Sequence, residues 1–311
     1  MEDASFDRVP DDSACDVPQR ARVVPCDGFS VAVAATDAVP VTSVSGGGVA
    51  GTRVSPECRV FMQNGAEILR MLAPSAVIEL GSGHGMLGAW ACSQLNCQSR
   101  AGLEAEPAKE RTPAPVVLSD VEDFLFLVRE TQRLNSELPL HVAPLHFGDS
   151  KMLRDVLQSP PLRCCSTGTV ALIGAGITYW ECCYEPLAVT IRDFLDCADA
   201  GDAGIERVVL ISHFKRDWGA EKRFWTKLLK GLEVEVVYEA ELEEGEMDTS
   251  VHAPSCRRHD ADGLWNARIY KISKAKAAAA ESGAVEESEY AYDFAKYSKK
   301  EKKNQKKKKG S

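Results

Sequence analysis

Between about residues 60 and 240, short apolar runs alternate with segments whose apolar residues recur every three or four positions. The clearest case is "VIELGSGHGMLGAWAC", residues 77–92. Val77, Ile78 and Leu80 read as a buried strand, and behind Met86 the residues Leu87, Ala91 and Leu95 fall at helical spacing. "NGAEILRML" predicts a helix ahead of that strand. "VVLSD" is a second strand ending in Asp120, and the helix after it carries a capping-box pair, Ser119 with Glu122, and an apolar stripe of Val121, Phe124, Leu125 and Val128. "LHVAPLHF" is a third strand and "TVALIGAGITYW" contains a fourth. The helix "EPLAVTIRDFL" puts Leu187, Ile191, Phe194 and Leu195 on one face. "RVVLISHF" is a fifth strand, "EKRFWTKLLKGL" a helix, and "EVEVVYEA" and "LWNARIYKIS" alternate like two antiparallel strands. Strands and helices taking turns predict an α/β fold, a doubly wound sheet with a strand-rich end.

The flanks read differently. "ARVVPCDGFSVAVAATDAVPVTSV" suggests a short hairpin, with "SGGGVAG" a flexible loop behind it, and the polar stretch at about 96–115 a surface insertion. Residues 1–20 and 276–311 are expected to be disordered, leaving 21–275 as the folded domain.

A 44% hydrophobic content over 311 residues is enough for a sizeable core, and a soluble enzyme is the default expectation. There is no apolar run long enough for a membrane span, and the first 20 residues are acidic and polar, unlike a secretion signal. Eleven cysteines include adjacent pairs, Cys164–Cys165 and Cys182–Cys183, but no metal-ligand spacing. Reduced thiols, no metal, and a cytoplasmic or nuclear location are therefore expected. The net charge of -9 is unevenly spread: residues 296–311 hold nine lysines and one glutamate, +8, so the rest carries -17. Nucleic acid is expected to touch the Lys-rich tail if it touches the chain at all, the tail being either a solubiliser or an import or RNA-contacting segment.

Candidate chemistry gathers at the carboxyl ends of the strands, where a doubly wound sheet holds its ligand. Gly81, Gly83 and Gly85 let the backbone turn tightly against an anionic group facing the helix start. The pattern is GxGxG, with Met86 following, and not the GxGxxG of dinucleotide binders. Glu79 and Gly81 close the first strand, Asp120 the second, Phe147 the third, and Ala175 to Tyr179 the fourth. A carboxylate in the place of Asp120 grips a ribose diol. Its distance of 35 residues from Gly85 exceeds the usual ~20, and the polar insertion accounts for the excess. Each residue also has a packing explanation: Asp120 as a helix start, Phe147 as core, Tyr179 and Trp180 as packed aromatics, and His84, His146 and His213 as structural histidines.

"VIELGSGHG", "VVLSDVEDFLFLVRETQRLN", "LHFGD", "IGAGITYWECCYEPL" and "SHFKRDWGAEKRFWTKL" resemble successive motifs of the class I seven-strand S-adenosylmethionine-dependent methyltransferases. The likeness covers roughly residues 25–272 and is strongest to the methyltransferase-like lysine methyltransferases that act on chaperones, elongation factors and the valosin-containing AAA ATPase. It implies a Rossmann-like seven-stranded sheet, mostly parallel with an antiparallel C-terminal hairpin, and S-adenosyl-L-methionine as cofactor. Gly81, Ser82 and Gly83 would line the methionine moiety, with Gln63, Glu79 and Gly85 also among the residues at the cofactor. Asp120 would bind the ribose, Phe147 would stand beside the adenine, and Ala175 would border the cofactor. Gln63 takes the place of a Trp in the helix before the first strand. Tyr179 matches the tyrosine of an Asp-x-x-Tyr motif whose aspartate is here Gly176, so Glu181, or Glu185, is the candidate to meet an acceptor amine.

The expected activity is methylation of lysine on a protein substrate. A lysine amine must be neutral to attack, at a cost of about 4.6 kcal/mol at pH 7. An apolar channel walled by Tyr179 and Trp180 would lower that cost. A small-molecule or other-residue methyltransferase, and a non-catalytic binding protein of the same fold, are the alternatives.

Overall fold

Seven strands of the computed structural model form one sheet in the order β5-β4-β3-β6-β7-β9-β8. They are β3 Ala76–Leu80, β4 Val116–Asp120, β5 Leu140–Pro144, β6 Gly168–Ala175, β7 Ile205–Phe214, β8 Leu232–Leu242 and β9 Trp265–Lys274. The structure describes residues 21–26, 29–34, 55–101, 113–163, 167–178, 181–197, 204–214, 218–242 and 265–275. The chain divides into one unit of residues 1–230 and 234–273, which carries nearly the whole sheet, and a second of 231–233 and 274–311, described only at Gly231–Glu233, Lys274 and Ala275.

Strands β3 to β7 are parallel, and β9 runs antiparallel to β7 between it and β8. The expected mixed α/β sheet is the one observed. The chain adds β4 and β5 on one side of β3 and then crosses to β6 on the other. The topological switch, where such sheets leave a crevice, therefore lies between β3 and β6. β3 and β4 are buried along their whole length, as strands covered on both faces must be, and each opens on an apolar run, Ala76–Ile78 and Val116–Leu118.

Helix α1, Pro56–Leu72, packs on α2, Met86–Ala101, with Phe61 edge-on to Trp90 at 6.1 Å. α3, Leu125–Leu134, completes that layer; Val77, Leu87, Trp90, Leu118, Val128 and Ile173 share its core. A second layer comprises α4 (Ser150–Leu157) and α6 (Tyr184–Asp196), with the short α5, Pro160–Arg163, beside α4. Leu187, Ile191, Phe194 and Leu195 are buried together on α6 as the spacing predicts. α7, Trp218–Arg223, continues into a π turn, Phe224–Leu228, closed by Leu229 N–H donating to Phe224 O at 3.2 Å.

The expected hairpin is present as β1, Ala21–Cys26, paired antiparallel with β2, Phe29–Ala34. It lies against α2 and α3. Asn135, just past α3, clamps it: Ser30 N–H donates to Asn135 Oδ1 at 2.7 Å, and Asn135 Nδ2 donates to Ser30 O at 2.6 Å. The side-chain amide thereby makes the pair of bonds that a neighbouring strand would make.

Four boundaries differ from the sequence reading. α1 begins at Pro56, not Asn64, because Ser55 Oγ accepts from Cys58 N–H and Pro56 suits the first helical position. α2 runs to Ala101, into the expected insertion, of which 102–112 lie outside the described residues. The Ser119–Glu122 capping box does not form: Ser119 is inside β4, and α3 starts at Leu125 behind a 3₁₀ turn, Glu122–Phe124, that has no side-chain cap. The third strand stops at Pro144. Both expected terminal segments, 1–20 and 276–311, lie outside the described residues.

Candidate functional site

The glycine turn between β3 and α2 is built on left-handed backbone. Gly81, Gly83 and Gly85 have φ of 60°, 59° and 76°, a region open mainly to glycine. Space is also short: a Cβ on Gly81 would lie 2.9 Å from Ile177 Cγ2 and 3.4 Å from Phe147 Cζ. The residues after β3, β5 and β6 thus converge on one glycine at the switch point. Ser82 ties the turn to β4. Its N–H donates to Ser119 O at 2.9 Å, and Ser119 N–H donates to Ser82 Oγ at 3.0 Å. Ser119 Oγ, freed from any capping role, donates to Glu79 O at 2.5 Å.

Asp120 faces the turn. Its Oδ2 accepts from Gly83 N–H at 2.6 Å and its Oδ1 from Val121 N–H at 2.7 Å. Burial raises its pKa to about 6 against the pull of those two amides and of His146. Each oxygen keeps a second lone pair, so the carboxylate can hold the turn and accept from a diol together. Glu79 is buried beneath, its pKa raised to about 8 by desolvation, with Asp120 adding to the rise and hydrogen bonds from Ser82 and Gly88 N–H opposing it. At pH 7 it is therefore mostly neutral. Its Oε2 has no hydrogen-bond partner, and a Cβ on Gly88 would come within 2.7 Å of that oxygen. Glu79 belongs to the floor of the site.

At the end of β6, Ala175 pairs with Ser212 of β7 and is half-buried. Gly176 follows with φ 67°. A carboxylate that the sequence reading missed stands here: a Cβ on Gly176 would lie 3.3 Å from Ser55 Cβ and 3.4 Å from Glu57 Oε2, and Glu57 is fully buried. The signal was the Ser55-Pro56-Glu57 helix start, which fixes where α1 begins and so delivers Glu57 to this rim. Of the residues proposed to act on an acceptor, Tyr179, with Trp180, lies outside the described residues. Glu181 is exposed on a 3₁₀ turn, Glu181–Cys183, and Glu185 is exposed and paired with Arg223. Gln63 is exposed on α1. The structure brings Glu79, Gly81, Ser82, Gly83, Gly85, Asp120 and Phe147 together.

The residues fit a nucleoside cofactor by two observations: a turn that admits no side chain at Gly81, and a strand-end carboxylate directed at that turn. The strand order adds a third. The nicotinamide-binding fold is parallel in the order 3-2-1-4-5-6, whereas here an antiparallel strand is inserted ahead of the edge strand.

No protein-family model matches the sequence, and no curated protein matches it. Among solved structures, the chain is similar to a candidate methyltransferase from Thermobifida fusca, at 15% identity over 70% of this chain and 81% of that one, TM-score 0.41. It is similar to SMU.776, a candidate methyltransferase complexed with SAH, at 11% identity over 81% of this chain and 56% of that one, TM-score 0.43. A third is Sp1610 of Streptococcus pneumoniae, a candidate tRNA (m1A22) methyltransferase in complex with S-adenosyl-L-methionine, at 12% identity over 77% and 87%, TM-score 0.33.

Proposed function

We propose that the protein is an S-adenosyl-L-methionine-dependent methyltransferase acting on a lysine amine of a protein substrate. The observation that carries this reading is the hydrogen bond from Gly83 N–H to Asp120 Oδ2, which ties the carboxylate at the end of β4 to the glycine turn after β3, beside the β3–β6 switch point. When bound, the cofactor supplies a methyl group on a sulfonium that is already a good leaving group. Asp120 is placed to accept from ribose hydroxyls, and the Gly81–Gly83 backbone to lie against the amino-acid part. Phe147, half-buried with its ring near Gly81, is the aromatic that would stack on a base, a contact worth about 1–3 kcal/mol.

The protein's remaining task is to align an acceptor with the methyl group, a positioning effect. Glu57 supports an amine acceptor, since its carboxylate stands at Gly176, the position where the resembling family carries an aspartate toward the substrate. An apolar approach would favour the neutral amine, and a carboxylate at its end would orient the amine's N–H groups. A net charge of -17 outside the tail favours a basic protein surface over a nucleic acid as partner.

The test has two stages. Calorimetry with S-adenosylhomocysteine is expected to show binding that Asp120→Ala removes. Incubation of a proteome with labelled cofactor, followed by mass spectrometry, is expected to place the label on lysine and to lose it with Glu57→Gln at unchanged cofactor affinity. Label on nucleic acid or a small metabolite would overturn the acceptor assignment, and absent binding would overturn the enzyme.

A further inference from the structure

The turn after β6 is held from behind by a buried polar chain. Thr178 Oγ1 lies 2.7 Å from His213 Nδ1, and His213 Nε2 lies 3.4 Å from Glu221 Oε2. Tyr184 O–H donates to Thr178 O at 3.1 Å. Thr178, His213, Glu221 and Tyr184 are each at most 3% exposed. His213 of β7 and Tyr184 of α6 reach Thr178, and Glu221 of α7 stands behind His213. The Thr178 hydroxyl and His213 Nδ1 share one hydrogen bond, and Glu221 stands at the other ring nitrogen. Trp225 and Tyr270 flank the imidazole with ring centroids 5.4 Å and 6.0 Å away. Apolar side chains could fill this space, whereas a buried polar chain is directional and fixes one geometry.

What that geometry fixes is Ile177. Its side chain fills the hydrogen-sized gaps that two glycines leave. A Cβ on Gly174 would lie 2.5 Å from Ile177 Cδ1, and one on Gly81 2.9 Å from Ile177 Cγ2. Ile177 has no polar group to hold it there, so its place depends on the backbone that Thr178 anchors.

We propose that Thr178, His213 and Glu221 are positioning residues that set Ile177 as a wall of the cofactor cradle, at the amino-acid end of the cofactor beside Gly81. The proposal rests on the cofactor reading above. It predicts a split between two ligands that share a nucleoside: S-adenosylhomocysteine, which has the amino-acid part, and 5′-methylthioadenosine, which lacks it.

Calorimetry on the full chain tests it. Thr178→Val keeps the shape and removes the hydroxyl; the loss of that one bond is expected to weaken S-adenosylhomocysteine about tenfold. Methylthioadenosine is expected to stay within a factor of about two. Thr178→Ser should restore the wild-type affinity, and Ile177→Ala should reproduce the loss. Unchanged S-adenosylhomocysteine affinity in Thr178→Val or Ile177→Ala overturns the proposal, and so does an equal loss of both ligands without rescue by Ser, which marks a general folding role. Should Thr178→Val fail to fold, the Ile177→Ala split decides alone. A wild-type protein that binds neither nucleoside overturns the cofactor reading itself, an outcome distinct from these.

Discussion

Asp120 and Glu79 are two buried acids close enough for one to raise the other's pKa, and their environments give them different tasks. Asp120 must be ionised to accept from a diol, and its raised pKa of about 6 puts that change within reach of ordinary buffers. Cofactor affinity is therefore expected to rise about tenfold per pH unit up to pH 6 and to level off above it. Calorimetry between pH 5 and 8 checks this, and Asp120→Asn should flatten the profile at the weak end. Glu79 acts on stability. Its folded pKa, about 8, lies above the 4.5 of an exposed glutamate, so the folded state holds the proton more tightly. The resulting stability is complete below about pH 4.5 and is lost as pH rises through 8, an effect of a few kcal/mol. Thermal melts from pH 5 to pH 9 are expected to fall with pH, and Glu79→Gln should remove most of the slope. A wild-type melt that climbs over this window contradicts the assignment.

The hairpin and the helix starts belong to the scale of elements. Asn135→Ala removes both clamps on Ser30 and leaves a strand edge unsatisfied. An expected loss of about 1–3 kcal/mol in stability, with faster amide exchange confined to β1 and β2, measures the clamp. The sheet was legible because β3, β4, β6 and β7 are apolar runs punctuated by glycine, proline and aspartate. Alternation along "ARVVPCDGFSVAVAATDAVPVTSV" likewise suggested the hairpin. What was not legible was set by tertiary contacts. Ser119 and Glu122 have the spacing of a capping box, yet Ser119 is more useful inside β4, where its hydroxyl meets Glu79 O. The helix "EKRFWTKLLKGL" changes to π geometry at Phe224, which directs Phe224 to Tyr184 and the adjacent Trp225 to His213 and Tyr270. Periodicity of 3.6 does not report such a widening. Glu57 and Thr178 were missed for the same reason: the sequence shows that they are near helix and strand ends, but not what faces them across the crevice.

For the molecule as a whole, charge separates body from tail. Removing residues 296–311 takes the net charge from -9 to -17. A lysine-rich model peptide is expected to associate faster with the shortened protein at low salt, and the difference should vanish near 1 M salt, where screening acts within about 3 Å. Stopped-flow measurements across a salt series read this directly. Equal rates at low salt would show that the tail does not compete with an incoming basic chain.

The place of β9 also governs how this chain is made. β7 obtains its second neighbour only from residues that follow β8 in sequence, so on the ribosome the half-built sheet carries an open backbone edge until Lys274 has emerged. Products ending before Trp265 would keep that edge, and with it a tendency to join one another strand to strand.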